Sequence, residues 1–461
     1  MTWGSIWRVL LVLAAALASR RPLLRFWRQA EHPVNLAMAR ILVAGTASLL
    51  ALQLWPVNLR MATLPQRLQL PMQQPSLPAA LLNPHPELVA CLSPLFFLFS
   101  VLGCLGFRTR FSLGAAALLG CYLLALPGLF SKIVHYHHVI WFLVLLACSP
   151  CHHALSLDCW LLARKGKRFP NTRQPGYAPA LKLIQLHIAL IYFFPGLWKL
   201  TLHGIPQWCW SDNLRNIFFW HWRYEVHMNT GWLPLWRIDH QPWLLHWGAL
   251  SAILFELAMP FLVLRRSGRG PAVGLAILFH LFNYCLLKLG FWHVLVCDFC
   301  LIDWRRLQLR AGGGRERVQA PAPTAGRTVL IVGFTMLVIN GYCGMRNVLD
   351  SWPFSCYPTL SELRPANSQE LEVQVQRSDG SWHQVPLHPM EPFFQWARFH
   401  RTETQLLRDP SRLPAFWTLL RRTMPERARA VRFYANVVST IPEEGANPPL
   451  EQRLLLESRD L

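Results

Sequence analysis

Lys199 is the residue in this sequence with the clearest potential for chemistry. It lies in the apolar run Leu186–Trp208, which is long enough to cross a bilayer. Ile188, Tyr192, Pro195 and Lys199 follow one another at helical spacing, so the ammonium shares a helix face with a phenol and a proline kink. Lys199 therefore either extends from a helix end to the membrane interface or is buried and serves as a base.

Other apolar segments carry ionisable or amide side chains that could act with Lys199. His135 and His138 are three residues apart, as are His280 and Asn283, and Glu256 stands alone in a further segment. Such residues usually face protein or water rather than lipid. With Tyr192 they could line one cavity that holds a base, a counter-ion and hydrogen-bond donors. Alternatively, they only form hydrogen bonds that hold the helices together.

Cysteine spacing raises two further possibilities, and neither is favoured. Cys148-Ser-Pro-Cys151-His152 matches the haem-attachment pattern, but the charge pattern described below places it on the reducing side. His153 and the pair Cys297 and Cys300 could complete a zinc site, although small residues at helix ends explain them as well. We predict no metal. A disulfide between Cys343 and Cys356 is left open.

The composition indicates a polytopic helical membrane protein. Hydrophobic residues make up 53% of the 461-residue chain and charged residues only 15%, well below the roughly 25% of soluble domains. Several apolar runs are long enough to span a bilayer, which is the first expected partner. The net charge of +21 comes from short basic segments between these runs, without the aromatic interleaving of single-strand binders. Nucleic acid is therefore excluded as a partner.

The apolar runs predict an all-α bundle of about nine spans, followed by a small C-terminal α+β extramembrane domain. The first run is a short membrane helix or a cleaved signal. The predicted runs are Ile6–Ser19, Leu36–Trp55, Leu88–Phe107, Ser112–Phe130, the segment from His135 to Cys148, Ala180–Leu202, Trp243–Leu264, two spans within Pro271–Trp304 divided near Lys288–Gly290, and Thr328–Tyr342. The corresponding regions are 1–32 (N-terminal helix and basic segment), 33–305 (membrane bundle), 306–345 (linker and last span) and 346–461 (outer domain).

Charge supports this order of spans. Alternate connections hold twenty lysines and arginines on one side and six on the other. The richer side is cytoplasmic by the positive-inside rule. The C-terminal domain is therefore expected on the non-cytoplasmic side.

The C-terminal domain shows strand and helix patterns of its own. Residues 371–376 and 382–385 flank Ser378-Asp-Gly-Ser, which predicts a hairpin. Glu391–Leu407 and Leu413–Arg422 read as amphipathic helices and Ala430–Thr440 as a strand.

The chain resembles the horizontally transferred transmembrane (HTTM) domain proteins, whose animal relative is vitamin K-dependent gamma-carboxylase. The resemblance covers about residues 33–305. Its segments, in family order, are His135-Tyr136, Ser156-Leu157-Asp158, Tyr192-Phe-Phe-Pro-Gly-Leu-Trp-Lys199-Leu200, Trp208, His246-Trp247-Gly248 with Glu256, and Phe279-His280-Leu-Phe-Asn283 ahead of Gly290-Phe291.

The resemblance implies roles for individual residues. Lys199 would be the base that deprotonates a reduced quinone, and His135 would handle protons or act in the carboxylation step. His138, Tyr192, Glu256, His280 and Asn283 would line the cavity. The chain departs from the carboxylase at Trp198, where that pattern has a second lysine, and in an outer domain of only about 115 residues.

Two functions of different class remain from the sequence. The first is a quinol-dependent carboxylase- or oxygenase-like lyase with an unknown substrate. The second is a non-catalytic membrane scaffold or partner-binding protein. The sequence leaves open whether the chain is an enzyme.

Overall fold

The structure is a computed structural model that describes residues 3–70, 72, 76–130, 135–310, 326–357, 360–390, 399–424, 428–444 and 447–458. It is mainly helical, with one small sheet near the C-terminus. The helices are α1 Trp3–Ala18, α2 Arg20–Arg28, α3 Pro33–Met61, α4 Ala79–Leu82, α5 Pro86–Leu105, α6 Thr109–Leu123, α7 Leu126–Leu129, α8 His137–Ala147, α9 Leu157–Arg164, α10 Ala178–Leu202, α11 Gly204–Cys209, α12 Asn213–His227, α13 Pro242–Leu264, α14 Arg269–Leu287, α15 Trp292–Asp298, α16 Trp304–Arg310, α17 Arg327–Arg346, α18 Phe399–Arg408 and α19 Leu413–Leu420.

Seven helical segments within the described residues are long and apolar enough to cross a membrane. They are α3, α5, α6 with α7, α10, α13, α14 and α17. The predicted number of about nine spans is not confirmed. Two predicted spans are short helices, α8 and the apolar segment Trp292–Leu301, and about ten residues rise only about 15 Å in a bilayer core of about 30 Å.

The predicted division of the long apolar region Pro271–Trp304 is confirmed. Helix α14 ends at Leu287, and α15 begins at Trp292. Lys288 between them has a φ of 55°, the left-handed conformation that commonly ends a helix. This break turns the chain so that α15 packs back against α14 and α3.

Helix α10, which carries Lys199, lies at the centre of the bundle. In its most apolar stretch of 18 residues, 89% of the residues are buried, against 28% in the corresponding stretches of α5 and α17. Two glycines allow neighbouring helices to approach it closely. A Cβ on Gly196 of α10 would lie 2.9 Å from the Glu256 Cβ of α13, and one on Gly344 of α17 would overlap the Phe194 ring. Small residues at such contacts are typical of membrane helix packing.

The C-terminal region contains a four-stranded antiparallel sheet in the order β2–β1–β3–β4. The strands are β1 Asn367–Gln376, β2 Trp382–Val385, β3 Ala430–Ser439 and β4 Glu451–Ser458. The predicted hairpin and the strand at β3 are confirmed, and Gly380 has the positive φ that the turn needs. Of the predicted helix Glu391–Leu407, residues 391–398 lie outside the described part of the chain. Strand β4 was not predicted.

This region contacts α12 through an ion-pair network. Arg223 donates to both carboxylate oxygens of Glu370, at 2.7 and 2.9 Å. His227 Nε2 lies 3.1 Å from Glu403 Oε1. Burial lowers the pKa of His227, but the carboxylates of Glu403 and Glu370 outweigh it and raise that pKa overall. Burial alone would raise the pKa of Glu403, but the neighbouring His227 and His400 lower that pKa to about 2.

Candidate functional site

Lys199 forms a buried ion pair with Glu256. Its Nζ lies 2.5 Å from Glu256 Oε1, and the two residues are only 3% and 2% exposed. The approach of α13 at Gly196, one turn before Lys199, makes this distance possible. The ammonium also lies 5.1 Å from the centre of the Trp208 ring, within cation–π range. Lys199 is thus held inside the protein, and Glu256 is its counter-ion.

Tyr192 connects two further buried polar residues. Its hydroxyl donates to Asp298 Oδ2 at 2.6 Å and lies 2.7 Å from His280 Nε2. Because the hydroxyl hydrogen goes to Asp298, His280 Nε2 donates to the Tyr192 oxygen, which leaves His280 Nδ1 as an acceptor. Three separate elements, α10, α14 and α15, supply these side chains.

These residues, Lys199, Glu256, Tyr192, His280 and Asp298, are here called the polar cluster. The Tyr192 ring packs on Phe255 at 5.2 Å, immediately before Glu256 in α13. The polar cluster therefore consists of the Lys199–Glu256 pair and the Tyr192–His280–Asp298 group, which lie two turns apart on α10 and draw side chains from four helices.

His135 and His138 lie next to this cluster, around Tyr357. His135 stacks on the Tyr357 ring at 5.0 Å. His138 Nε2 donates to the backbone oxygen of His293 at 3.3 Å, so its Nδ1 accepts from the Tyr357 hydroxyl at 3.2 Å. Burial raises the pKa of Tyr357 above its ordinary value, which keeps the phenol protonated for this bond.

Phe291 separates the two groups and contacts both. Its ring centre lies 5.1 Å from His135 and 5.9 Å from His280. Asn283 is half-buried, and its backbone oxygen accepts from Leu289 N–H at 3.2 Å. The structure thus places Lys199 with Glu256 and Tyr192 with His280. His135 and His138 lie across Phe291, and Asn283 lies at the end of α14.

The polar cluster contains buried acceptor atoms that lack hydrogen-bond partners among the described residues. These atoms are Glu256 Oε2, Asp298 Oδ1 and His280 Nδ1. A buried acceptor left unsatisfied costs about 1–3 kcal/mol. Each of the three could accept a hydrogen from a bound molecule. The chemical character of the cluster is therefore that of an acceptor site.

The motif Cys148–His153 lies elsewhere. Cys151 is buried and its thiol donates to Leu146 O at 3.3 Å, while His153 Nδ1 lies 3.0 Å from the Tyr177 hydroxyl. Cys343 and Cys356, whose pairing the sequence left open, are free thiols.

Two members of the site were missed from the sequence. Asp298 lies between Cys297 and Cys300, and in this segment only the cysteines were considered, as possible zinc ligands. The criterion that identified Glu256, a carboxylate in an apolar segment, would also have found Asp298. Tyr357 follows the last span in an irregular segment, where no periodic pattern points to it.

Comparison with known families gives a match that covers most of the membrane bundle. Residues 29–304, more than half of the chain, match the family model of the HTTM domain. No curated protein and no solved structure is similar enough to the chain to count as a match.

Proposed function

The chain belongs to the HTTM domain family and is a multi-pass membrane protein, and we propose that it is a membrane enzyme that takes a proton from a lipophilic hydroxyl compound. The leading candidate for that compound is a reduced quinone. The observation that carries the proposal is the buried Lys199–Glu256 pair, in which one carboxylate oxygen has no described partner.

In this proposal the pair acts as a unit. Lys199 holds Glu256 through Oε1, which leaves Oε2 to accept a proton from a hydroxyl group. The Lys199 ammonium then lies near the deprotonated oxygen of the bound compound and stabilises its negative charge. The resemblance implies Lys199 as the base. The ion pair suggests instead that Glu256 receives the proton and that Lys199 stabilises the anion.

The chemistry of the cluster fits a reduced quinone. Such a molecule would supply acidic hydroxyl groups and the electrons for a later reaction with dioxygen. The unpartnered atoms of Glu256, Asp298 and His280 are acceptors, which suit hydroxyl hydrogens. An oxidised quinone brings only carbonyl acceptors and would leave these atoms unsatisfied. The cluster should therefore bind the reduced form more tightly than the oxidised form.

His135 would act on the other side of Phe291, in a proton-handling or carboxylation step. Its stacking against Tyr357 and its contact with Phe291 would hold the ring next to the bound molecule. We further propose that the sheet-containing C-terminal region lies on the non-cytoplasmic side, because the opposite connections carry most of the Lys and Arg residues.

Binding under anaerobic conditions tests this function. A short-chain hydroquinone and its oxidised form are titrated against purified wild type, Lys199→Met/Glu256→Leu and His135→Ala, with tryptophan fluorescence as the readout. Lys288→Gln is the matched control, because Lys288 also pairs with a buried glutamate, Glu225 at 3.1 Å, outside the polar cluster. Each variant is first shown to be folded by circular dichroism.

We expect the wild type and Lys288→Gln to prefer the hydroquinone by about tenfold or more, the effect of one charge-assisted hydrogen bond. The double variant should lose this preference. Equal affinity for both forms in the wild type would refute the acceptor site. If no form binds and the variants are as stable as the wild type, the chain is better explained as a scaffold.

A further inference from the structure

A second cluster of charged residues lies at the opposite end of α10. Glu31, which is 1% exposed, has four cationic neighbours. Lys182 Nζ lies at 2.7 Å from its carboxylate, and Arg269, Arg173 and Arg266 lie at 3.5–3.6 Å. With Asp303, these residues are here called the Glu31 cluster.

Asp303 supplies the second carboxylate of the cluster. Arg173 Nη2 donates to Asp303 Oδ2 at 2.6 Å, and Arg266 Nε lies 3.6 Å from the same oxygen. Asn35 donates to both carboxylates, at 3.2 Å to Glu31 and 3.1 Å to Asp303. The Glu31 cluster thus contains four cations and two carboxylates, an excess of two positive charges.

Such an excess is costly where the cations are buried. Lys182 and Arg269 are 0% and 4% exposed, and both pair with the same carboxylate, that of Glu31. One of these two buried charges therefore lacks a counter-charge of its own, which destabilises a protein by several kcal/mol. Both cations also lie over the Phe26 ring, at 4.3 and 5.3 Å, but this contact brings no negative charge. A bound anion would balance the excess.

The cluster also has donors available for that anion. Arg269 Nη2 and Arg173 Nη1 are buried and form no hydrogen bond with the described residues. The side chains of Arg173 and Arg266 are 34% and 38% exposed. The cluster is therefore open on one side, and Lys182 and Arg269 form its buried floor.

The cluster lies where membrane-length helices begin, as expected for a site near the lipid headgroups. Three membrane-length helices begin here, α3 at Pro33, α10 at Ala178 and α14 at Arg269. Their N-terminal dipoles add positive potential to that of the side chains. Helix α13 ends close by, at Leu264.

We propose that the Glu31 cluster binds a terminal phosphate group, either the phosphate monoester headgroup of an anionic phospholipid or free phosphate. A phosphate monoester carries nearly two negative charges at neutral pH, which matches the excess. Guanidinium groups match phosphate oxygens in geometry and charge. This site is independent of the proposed proton transfer, because Lys182 and Lys199 are about 25 Å apart along α10 at 1.5 Å per residue.

The test measures the thermal unfolding midpoint of the full chain in neutral detergent micelles. Three probes are titrated at constant ionic strength, namely dioctanoyl phosphatidic acid, inorganic phosphate and dioctanoyl phosphatidylcholine. The variant is Arg173→Gln/Arg266→Gln, which removes the two half-exposed arginines. The control is Lys165→Gln/Lys167→Gln, which removes the same charge from exposed residues of the same basic connection.

We expect phosphatidic acid to raise the midpoint of the wild type and of the control. Its apparent affinity should fall about tenfold or more in the arginine variant, as expected for lost charge-assisted hydrogen bonds. An effect of inorganic phosphate as well would identify the phosphoryl group alone as the ligand, whereas its absence would identify a lipid.

Equal binding of phosphatidylcholine, equal effects in variant and control, or no effect of either phosphate probe on the wild type would overturn the proposal. If the double variant does not fold, Arg266→Gln alone replaces it, because Arg266 has the most exposed side chain of the four cations.

Discussion

Replacing Lys199 by methionine should destabilise the protein by about 3–5 kcal/mol, the usual effect of removing one partner of a buried ion pair. The reason lies in the surroundings of Glu256. Its Oε1 accepts from Lys199 at 2.5 Å, and its Oε2 has no hydrogen-bond partner in the described part of the chain. Without Lys199, the Glu256 carboxylate, which is 2% exposed, would therefore lose the counter-ion that it has among the described residues.

The double replacement Lys199→Met/Glu256→Leu should restore most of that loss. It removes both charges, and apolar residues of similar size commonly leave stability within about 1 kcal/mol of a buried pair, or increase it. Equilibrium unfolding in mixed micelles, followed by helical circular dichroism, gives the free energy of unfolding for the wild type, Lys199→Met, Glu256→Leu and the double variant. The double-mutant cycle then gives the coupling energy.

Lys288→Gln provides the comparison for this cycle. Lys288 donates to Glu225 at 3.1 Å, but Thr230 also donates to the same carboxylate oxygen. Glu225 therefore keeps a partner, and we expect a smaller loss, about 1–2 kcal/mol. The reasoning on the Lys199 pair would be refuted if Lys199→Met were as stable as the wild type, or if the double variant lost the sum of both single effects.

Three further predictions concern the rest of the chain. The pKa of His227 is raised above 6.5, so the contribution of its charge to stability is complete below pH 6.5 and is lost as the pH rises through the raised pKa. In thermal melts, His227→Gln should therefore destabilise the protein more at pH 5.5 than at pH 9. An equal loss of stability at both pH values would contradict this. Gly344→Ala must displace the Phe194 ring and should lower the free energy of unfolding by about 1–3 kcal/mol. Gly341→Ala on the same helix should change that free energy little, because a Cβ at this position meets no neighbouring atom within 4 Å. Cys356 is a buried free thiol and should react with a maleimide only after denaturation without reductant, whereas no reaction then would indicate a disulfide.

The sequence predicted those site residues that can be recognised from their neighbours along the chain. An ionisable residue in an apolar segment is costly in lipid, and this criterion singled out Lys199, Glu256 and His280, all of which are buried in the structure. It did not give their partners, because Lys199 and Glu256 are 57 residues apart and Tyr192 and Asp298 are 106 apart. Partner choice depends on how helices pack, which a single sequence does not state.

The number of spans could not be predicted for a related reason. Apolar composition reports burial, and a helix can be buried by protein as well as by lipid. Residues 137–146 of α8 are nearly all buried in the bundle, yet the helix is only 11 residues long. The same ambiguity concealed the Glu31 cluster. Its arginines were counted as markers of the cytoplasmic side, whereas the structure brings four basic side chains from three parts of the chain together around one carboxylate.

Helix α10 explains why the two clusters have different chemical character. Lys182, Gln185, Tyr192 and Lys199 recur at intervals of three and seven residues, so they lie on one face of the helix. At the Lys182 end, three helices begin and cations outnumber carboxylates. In the middle and at the Lys199 end, the unpartnered atoms are acceptors. The first arrangement suits an anion and the second a hydroxyl donor, so ligand competition between the two ends is not expected.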